Sequence, residues 1–304
     1  MGVLDPVPDL SNVKPSTKTA LGEEQAAAYL SSLFALMTKR IPMADGSGGT
    51  ATTDVTDTLQ ELAVTPLEED MDAGYIDGAL TAEECACIRG LIDAADAPLS
   101  FWNASGRGNE EARRFRDADT IEIHSKAFGD LLWTRLDALL SERVVRVAEE
   151  ESSELQGEWR PTTTNHDLLF AKYPPMGHFA PHTDGNAIND FNCRSMYSVI
   201  IFLNTIPMGG GTRFYENQAV HNLQQDSQGR WTCDTALATA LVPAVEGRLL
   251  FFRQDLVHEG VPPEAPHSKY IIRSDIMMRR TPPLCDGPLD RVGKIRAHAQ
   301  ASAA

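Results

Sequence analysis

The chain is short of long apolar runs, of cysteine and of positive charge, and each shortage removes a class of function. Its most apolar early stretch, Ala26 to Met37, falls well below the roughly 20 residues that a membrane-spanning helix requires. No membrane partner is expected. Met1 to Leu10 lacks the basic and apolar regions of a secretory signal, so a soluble, cytoplasmic protein is the expectation. The five cysteines (Cys85, Cys87, Cys193, Cys233 and Cys285) are odd in number and have no finger or ribbon spacing. That pattern excludes a disulfide framework and a structural zinc site, and it suits a reducing compartment. The 27 Lys and Arg stand against 43 Asp and Glu, a net charge of −16, so a nucleic-acid backbone would be repelled. Arg107, Arg113, Arg114 and Arg116 form a local basic run. Glu110, Glu111, Asp117 and Asp119 are interleaved with it, which reads as a solvated face of mixed charge.

What is present divides into three stretches. Residues 1–60 are expected to be a flexible segment holding one amphipathic helix, Glu23 to Arg40, and a Gly/Ser/Thr linker from Ala44. Residues 61–280 form the main domain, with helical support over 80–150 and strands over 165–280, and residues 281–304 are a tail. Thr81-Ala-Glu-Glu resembles a capping box opening a helix through Cys85, Ile88, Leu91 and Ile92, and a second helix is predicted from Ala127 to Val147. From Asp167 the texture becomes short aromatic and β-branched runs: Leu168 to Tyr173, Tyr197 to Leu203, Thr212 to Tyr215, Arg248 to Phe252 and Lys269 to Met278. Helices first and strands second predict an α+β domain in which helices brace a β-barrel or a double-sheet jelly roll.

The chemistry-bearing residues lie among those strands. In Phe179-Ala-Pro-His182-Thr183-Asp184-Gly185, alternation along a strand sends His182 and Asp184 to one face and Thr183 to the other. His258 follows the apolar run Leu249 to Phe252 and offers a third ligand. Two histidines and a carboxylate on one face of an octahedron leave three positions open, the arrangement of Fe(II) oxygenases. A zinc hydrolase can use the same donors, but it needs a general base and only one water position. A His-x-Asp pair by itself is more often a surface or hydrogen-bonded structural pair, so its weight depends on what accompanies it.

It is accompanied, in order, by Tyr173-Pro-Pro-Met-Gly-His-Phe-Ala-Pro-His182, Arg194 to Asn204, Gly209-Gly-Gly-Thr212-Arg-Phe214, Pro243 to Phe252, His258-Glu-Gly and Lys269-Tyr-Ile-Ile-Arg273-Ser-Asp. This succession resembles the prolyl 4-hydroxylase-like branch of the 2-oxoglutarate/Fe(II) dioxygenases over roughly residues 60–280. The resemblance implies a double-stranded β-helix (jelly roll, cupin-like) with Fe(II) in its mouth, and 2-oxoglutarate and O₂ as co-substrates. It also implies that Lys269 holds the distal carboxylate of 2-oxoglutarate, with the hydroxyls of Thr212 and Tyr173 lining the site. A buried dianion does need a fixed cation and donors. Arg273, four residues further on, faces the same side of a regular strand and is the alternative anchor, or a clamp for a substrate carboxylate. Three features depart from the family pattern or narrow it. Phe202 stands where peptide-modifying prolyl hydroxylases carry a tyrosine, and Pro262 to Lys269 is one residue longer than the family spacing. Asp184 disfavours halogenation, which in this family requires a small residue in its place.

The expected function is oxidation of a C–H bond, by hydroxylation or oxidative cyclisation, in a small amino-acid-like or natural-product substrate, with release of succinate and CO₂. A peptidyl prolyl or other side-chain hydroxylase is the alternative, and a non-catalytic cupin-like binding protein is the alternative of another class. Arg273, Asn186, Tyr197, Arg194 and His178 are candidate substrate contacts, each weighed against a packing or rim role. Nothing in the sequence specifies an oligomeric state.

Overall fold

The computed structural model describes residues 62–93, 102–103, 110–152 and 154–284, together with Ala27, Leu30, Ser31 and Leu33. Three α-helices lie among them: α1 (Ala82–Asp93), α2 (Glu110–Phe115) and α3 (Lys126–Leu140). The first strands are β1 (Val64–Pro66), β2 (Ala73–Ile76), β3 (Trp102–Asn103), β4 (Asp119–His124), β5 (Val145–Val147), β6 (Gly157–Thr164), β7 (Asp167–Tyr173), β8 (Phe179–His182) and β9 (Ile188–Asp190). They continue as β10 (Cys193–Phe202), β11 (Thr212–Tyr215), β12 (Gln224–Gln225), β13 (Trp231–Thr232), β14 (Ala238–Val242), β15 (Leu249–Arg253), β16 (His258–Gly260) and β17 (Lys269–Thr281).

A large antiparallel sheet runs β1-β2-β15-β10-β17-β7-β4-β3, with β5, β6 and β9 attached, and a smaller sheet runs β14-β11-β16-β8. The smaller sheet packs over one face of the larger, and this pair is the double-stranded β-helix. The helices cover the other face. Alternation decides which residues go where. Tyr197, Val199 and Ile201 of β10, Leu249 and Phe251 of β15, Leu168 and Phe170 of β7, and Ile272 and Ile276 of β17 share one core with the helices. Their neighbours Ile200, Phe202, Leu250, Phe252, Ala171, Tyr173 and Ile271 turn inward between the sheets.

The helix signals are realised atom by atom. The Thr81 hydroxyl accepts from Glu84 N at 3.0 Å, and the Glu84 carboxylate accepts from Thr81 N at 2.8 Å, a reciprocal capping box. In α3, Ser125 caps through Phe128 N, and Phe128, Leu132, Leu136 and Leu140 form one buried stripe at four-residue spacing. Leu30 and Leu33 are also buried in this core. The rest of the expected helix Glu23 to Arg40, the linker from Ala44 and nearly all of the expected tail lie outside the described residues.

Two expectations change. The second helix ends at Leu140 instead of Val147, because Val145, Arg146 and Val147 pair with Trp159, Glu158 and Gly157 of β6. A β-branched segment with a partner strand gains more from the ladder than from extending the helix. The stretch 80–150, expected as helical support, also supplies β3, β4 and β5 to the large sheet. The Gly-Gly-Gly-Thr turn bears out its composition: Gly209 and Gly210 have φ of +74° and +71°, and a Cβ on Gly209 would lie 2.1 Å from Pro262 O. Among the described residues no helix is long and apolar enough to cross a membrane.

Candidate metal centre and co-substrate cavity

His182 ends β8 and His258 opens β16, and the antiparallel register sets the two directly opposite each other. Asp184 lies just beyond β8, its amide donating to Gln254 O at 2.9 Å. The ligand atoms of His182, Asp184 and His258 lie within 4.8 Å of one another. His182 Nε2 is 3.6 Å from Asp184 Oδ1, and His258 Nε2 is 3.7 Å from Asp184 Oδ2.

The hydrogen bonds fit these residues to a metal. His182 Nδ1 donates to Ala180 O at 2.7 Å and His258 Nδ1 to Leu256 O at 2.9 Å. A carbonyl oxygen only accepts, so each neutral ring carries its proton on Nδ1 and turns the Nε2 lone pair toward the carboxylate. Burial, followed by the neighbouring His182, pushes His258 down to about 4, which keeps it in the neutral form that binds a cation. Asp184 is held well below the usual carboxylate range. Burial opposes this, but His182, Arg273 and His258 outweigh it. Ser198 donates a short hydrogen bond to Asp184 Oδ2, so the carboxylate is oriented from behind.

A cavity of ≈ 690 Å³ contains the triad and extends to Lys269, Thr212, Tyr173, Gly260, Ile200, Phe202 and Ile271 at one side, and to Asn186, Asn165 and Asp275 at the other. Lys269 is 2 % exposed. Its ammonium lies 4.2 Å from the Tyr173 ring and donates to Val261 O at 3.4 Å, and no carboxylate approaches within ion-pair distance among the described residues. Burial pushes it down to about 7, with Glu259 acting upward and Arg116 downward. Arg273 shares the face of β17 with Lys269, as alternation requires, but it is already engaged: its Nη2 sits 3.1 Å from Asp275 and 3.5 Å from Asp184.

The structure therefore brings His182, Asp184, His258, Lys269, Arg273, Tyr173, Thr212 and Asn186 to one cavity. Tyr197, Arg194 and His178 do not line it. The Tyr197 side chain lies in the helix-side core, its hydroxyl donating to Asp72 at 2.5 Å. His178 is buried and donates to Arg114 O at 2.8 Å. Arg194 stands behind Asn186, donating to its Oδ1 at 2.7 Å, and reaches the cavity only through it.

Several residues of the site were not anticipated. Ser198, which bonds Asp184, and Asp275, which lines the cavity, had a signal: each shares strand parity with named residues, Ser198 with Phe202 and Asp275 with Lys269 and Arg273. Arg116 had none, and its reading as part of a solvated face is corrected. Arg114 fits that account, with Glu110 and Glu111 at 3.6 and 3.5 Å. Arg116 instead lines the cavity, because its backbone bridges to Phe179 of β8.

No curated protein matches the chain by sequence. Among solved structures, the chain resembles a prolyl hydroxylase from Trichoplax adhaerens in complex with a hypoxia inducible factor peptide fragment, at 16 % identity over 68 % of this chain and 84 % of that one, with a TM-score of 0.45. A Pseudomonas putida prolyl-4-hydroxylase is similar at 17 % identity, 69 % and 94 % coverage and a TM-score of 0.40. The carbocyclase SnoK from nogalamycin biosynthesis is similar at 12 % identity, 71 % and 85 % coverage and a TM-score of 0.41. None of these likenesses bears on the substrate. Residues 168–274 match the family model of the 2OG-Fe(II) oxygenase superfamily. That segment holds His182, Asp184, His258 and Lys269, so the part of the chain that is similar to the 2OG-Fe(II) oxygenase superfamily is the part that builds the His-Asp-His cluster.

Proposed function

We propose that the protein oxidises a C–H bond of a small amino-acid-like or natural-product molecule, with Lys269 as the anchor for 2-oxoglutarate. The observation that carries this reading is the buried, carboxylate-free ammonium of Lys269 in the same cavity as the triad. An uncompensated buried cation is costly, and a carboxylate placed against it offsets that cost. Arg273 meets this requirement poorly, since two carboxylates already share its charge.

His182, Asp184 and His258 would hold iron(II). The chemistry supplied when iron and 2-oxoglutarate are bound is oxidation of a substrate C–H bond by O₂, coupled to decarboxylation of the keto acid to succinate. The protein's own residues do the positioning. The backbone carbonyls of Ala180 and Leu256 fix the two imidazoles, and Ser198 and Arg273 fix Asp184. Lys269 sets the depth at which the co-substrate sits, with the Tyr173 and Thr212 hydroxyls beside it. Ile200, Phe202 and Ile271 exclude water from that end of the cavity. The charged side chains that line the cavity, Lys269, Arg273 and Arg116 among them, suit a small polar molecule that brings its own counter-charge.

Anaerobic reconstitution with Fe(II) and 2-oxoglutarate, followed by admission of O₂ and a screen of metabolites and peptides, tests the reading. Succinate release and a product mass change are expected with a small molecule. Both His182→Ala and Asp184→Ala should abolish succinate formation. Retention of that activity, or a product formed only from peptides, would refute the proposal.

A further inference from the structure

Among the described residues, three cationic side chains other than histidine line the cavity: Lys269, Arg273 and Arg116. Two have a counter-charge assigned. Arg273 is paired with Asp184 and Asp275, and Lys269 is taken up by the distal carboxylate of 2-oxoglutarate on the reading above. The keto-acid end of that molecule would be taken up by the metal that His182, Asp184 and His258 would hold. Arg116 is left over. Among the described residues its guanidinium makes no ion pair, and it lies over the face of Phe179, with the guanidinium carbon 4.5 Å from the ring centroid. Its Nε is buried and has no hydrogen-bond partner among the described residues. The other carboxylates of the cavity are engaged elsewhere: Asp167 accepts from His124 at 2.6 Å, and Glu122 also has a partner.

Stacking on an aromatic ring stabilises the cation but satisfies none of the five N–H donors. A carboxylate satisfies two of them with parallel, charge-assisted hydrogen bonds. The side chain is also held ready for such a partner. Residue 116 is bridged to residue 179 through the backbone, and the Phe179 ring is braced edge-on by Phe115 at 5.7 Å. Phe179 in turn stacks on His182 at 3.6 Å and 19°. An anion held by Arg116 therefore lies one aromatic ring away from a metal ligand, within reach of the reacting centre.

We propose that Arg116 is a specificity-determining residue that binds a carboxylate of the molecule being oxidised, so that the substrate is a small carboxylic acid. This rests on the assignment of Lys269 to 2-oxoglutarate, which accounts for both carboxylates of the co-substrate and leaves Arg116 for a third.

The test uses the full chain with Zn(II) in place of iron, saturated with 2-oxoglutarate, and ¹⁵N detection of arginine Nε–H groups. The Arg116 signal is assigned by its disappearance in Arg116→Gln and, should that variant fail to fold, in Arg116→Lys. Acetate is expected to shift this signal saturably, and acetamide at equal concentration to leave it in place. Calorimetry on the zinc-loaded variant is expected to show 2-oxoglutarate affinity within about threefold of wild type. No saturable shift with acetate, or an equal shift with acetamide, overturns the proposal. So does a loss of about tenfold or more in 2-oxoglutarate affinity (about 1.4 kcal/mol), since the carboxylate at Arg116 would then be the co-substrate's. Failure of 2-oxoglutarate to bind the wild-type, zinc-loaded protein would count instead against the reading of Lys269, and the acetate arm would still decide Arg116.

Discussion

The two faces of the large sheet are built from the same strands and differ in almost everything else. On the helix side, β17 contributes Ile272, Ile276 and Met278 to a core of hydrocarbon. On the inner side the same strand contributes Lys269, Arg273 and Asp275, all drawn into the interior of the cavity. β10 repeats the division, with Val199 and Ile201 outward and Ser198 inward against Asp184. One face is optimised for burial and the other carries charges at a cost in stability. Stability and function are thus separated by the two-residue period of a strand.

That separation can be broken from either side. The largest effect is expected for Lys269→Met. Removing the charge proposed to meet the co-substrate carboxylate should cost 2-oxoglutarate binding about 2–5 kcal/mol, while the melting temperature stays level or rises because a buried ammonium without an ion pair among the described residues is gone. Calorimetric titration and a thermal melt on one preparation measure both. A fall in melting temperature with affinity retained would show that Lys269 is a structural residue. Leu136→Ala, on the helix side, should do the reverse: about 2–5 kcal/mol of folding stability lost in denaturant titration, with iron and 2-oxoglutarate affinities of the folded fraction unchanged.

Ser198→Ala should weaken iron binding by roughly 10–100-fold in a competition assay with a chelator and leave stability nearly unchanged. The smallest effect is a matter of pH. Since burial pushes Lys269 down to about 7, 2-oxoglutarate must bring a proton with it above that pH. Its affinity should fall by up to about tenfold per pH unit there and level off below. The ligand-free protein has the opposite dependence. An unfolded lysine titrates near 10.4, so the unfolded chain binds more protons between about 7 and 10. Lys269's contribution to stability therefore grows as pH rises through that window and is lost as it falls. Lys269→Arg should flatten the binding profile, and an equal slope in that variant would trace the effect to another group.

The legibility of the fold follows the range of the interactions involved. The capping box at Thr81 and Glu84, and the start of α3 at Ser125, depend on contacts three residues apart, which the order of residues displays. The end of α3 was not legible, because Val145 to Val147 are claimed by a partner strand at Gly157 to Trp159. The strands β1 to β6, outside the expected run of strands, were missed for the same reason: their pairing partners are distant in sequence. In the site, His182 and Asp184 were readable from strand parity; Lys269 came from the family resemblance, and parity with it gave Arg273. Tyr197 was misplaced as a cavity candidate by its proximity to strand residues that do face inward. Its odd position in β10 sends it to the other side.

By itself, the sequence put His182 and Asp184 on one side of a strand, through residue type and a period of two, and offered His258 as a third donor; the role of Lys269 came from the family resemblance, and the period of two then set Arg273 on the same side as Lys269. Only the tertiary structure decided which cation is unpaired. Arg273 is neutralised by Asp184 and Asp275, Lys269 is left facing the cavity, and Arg116 is carried from an apparently solvated run to the face of Phe179. Charge compensation depends on distances of a few ångströms between segments far apart in the chain, and no local pattern encodes those distances.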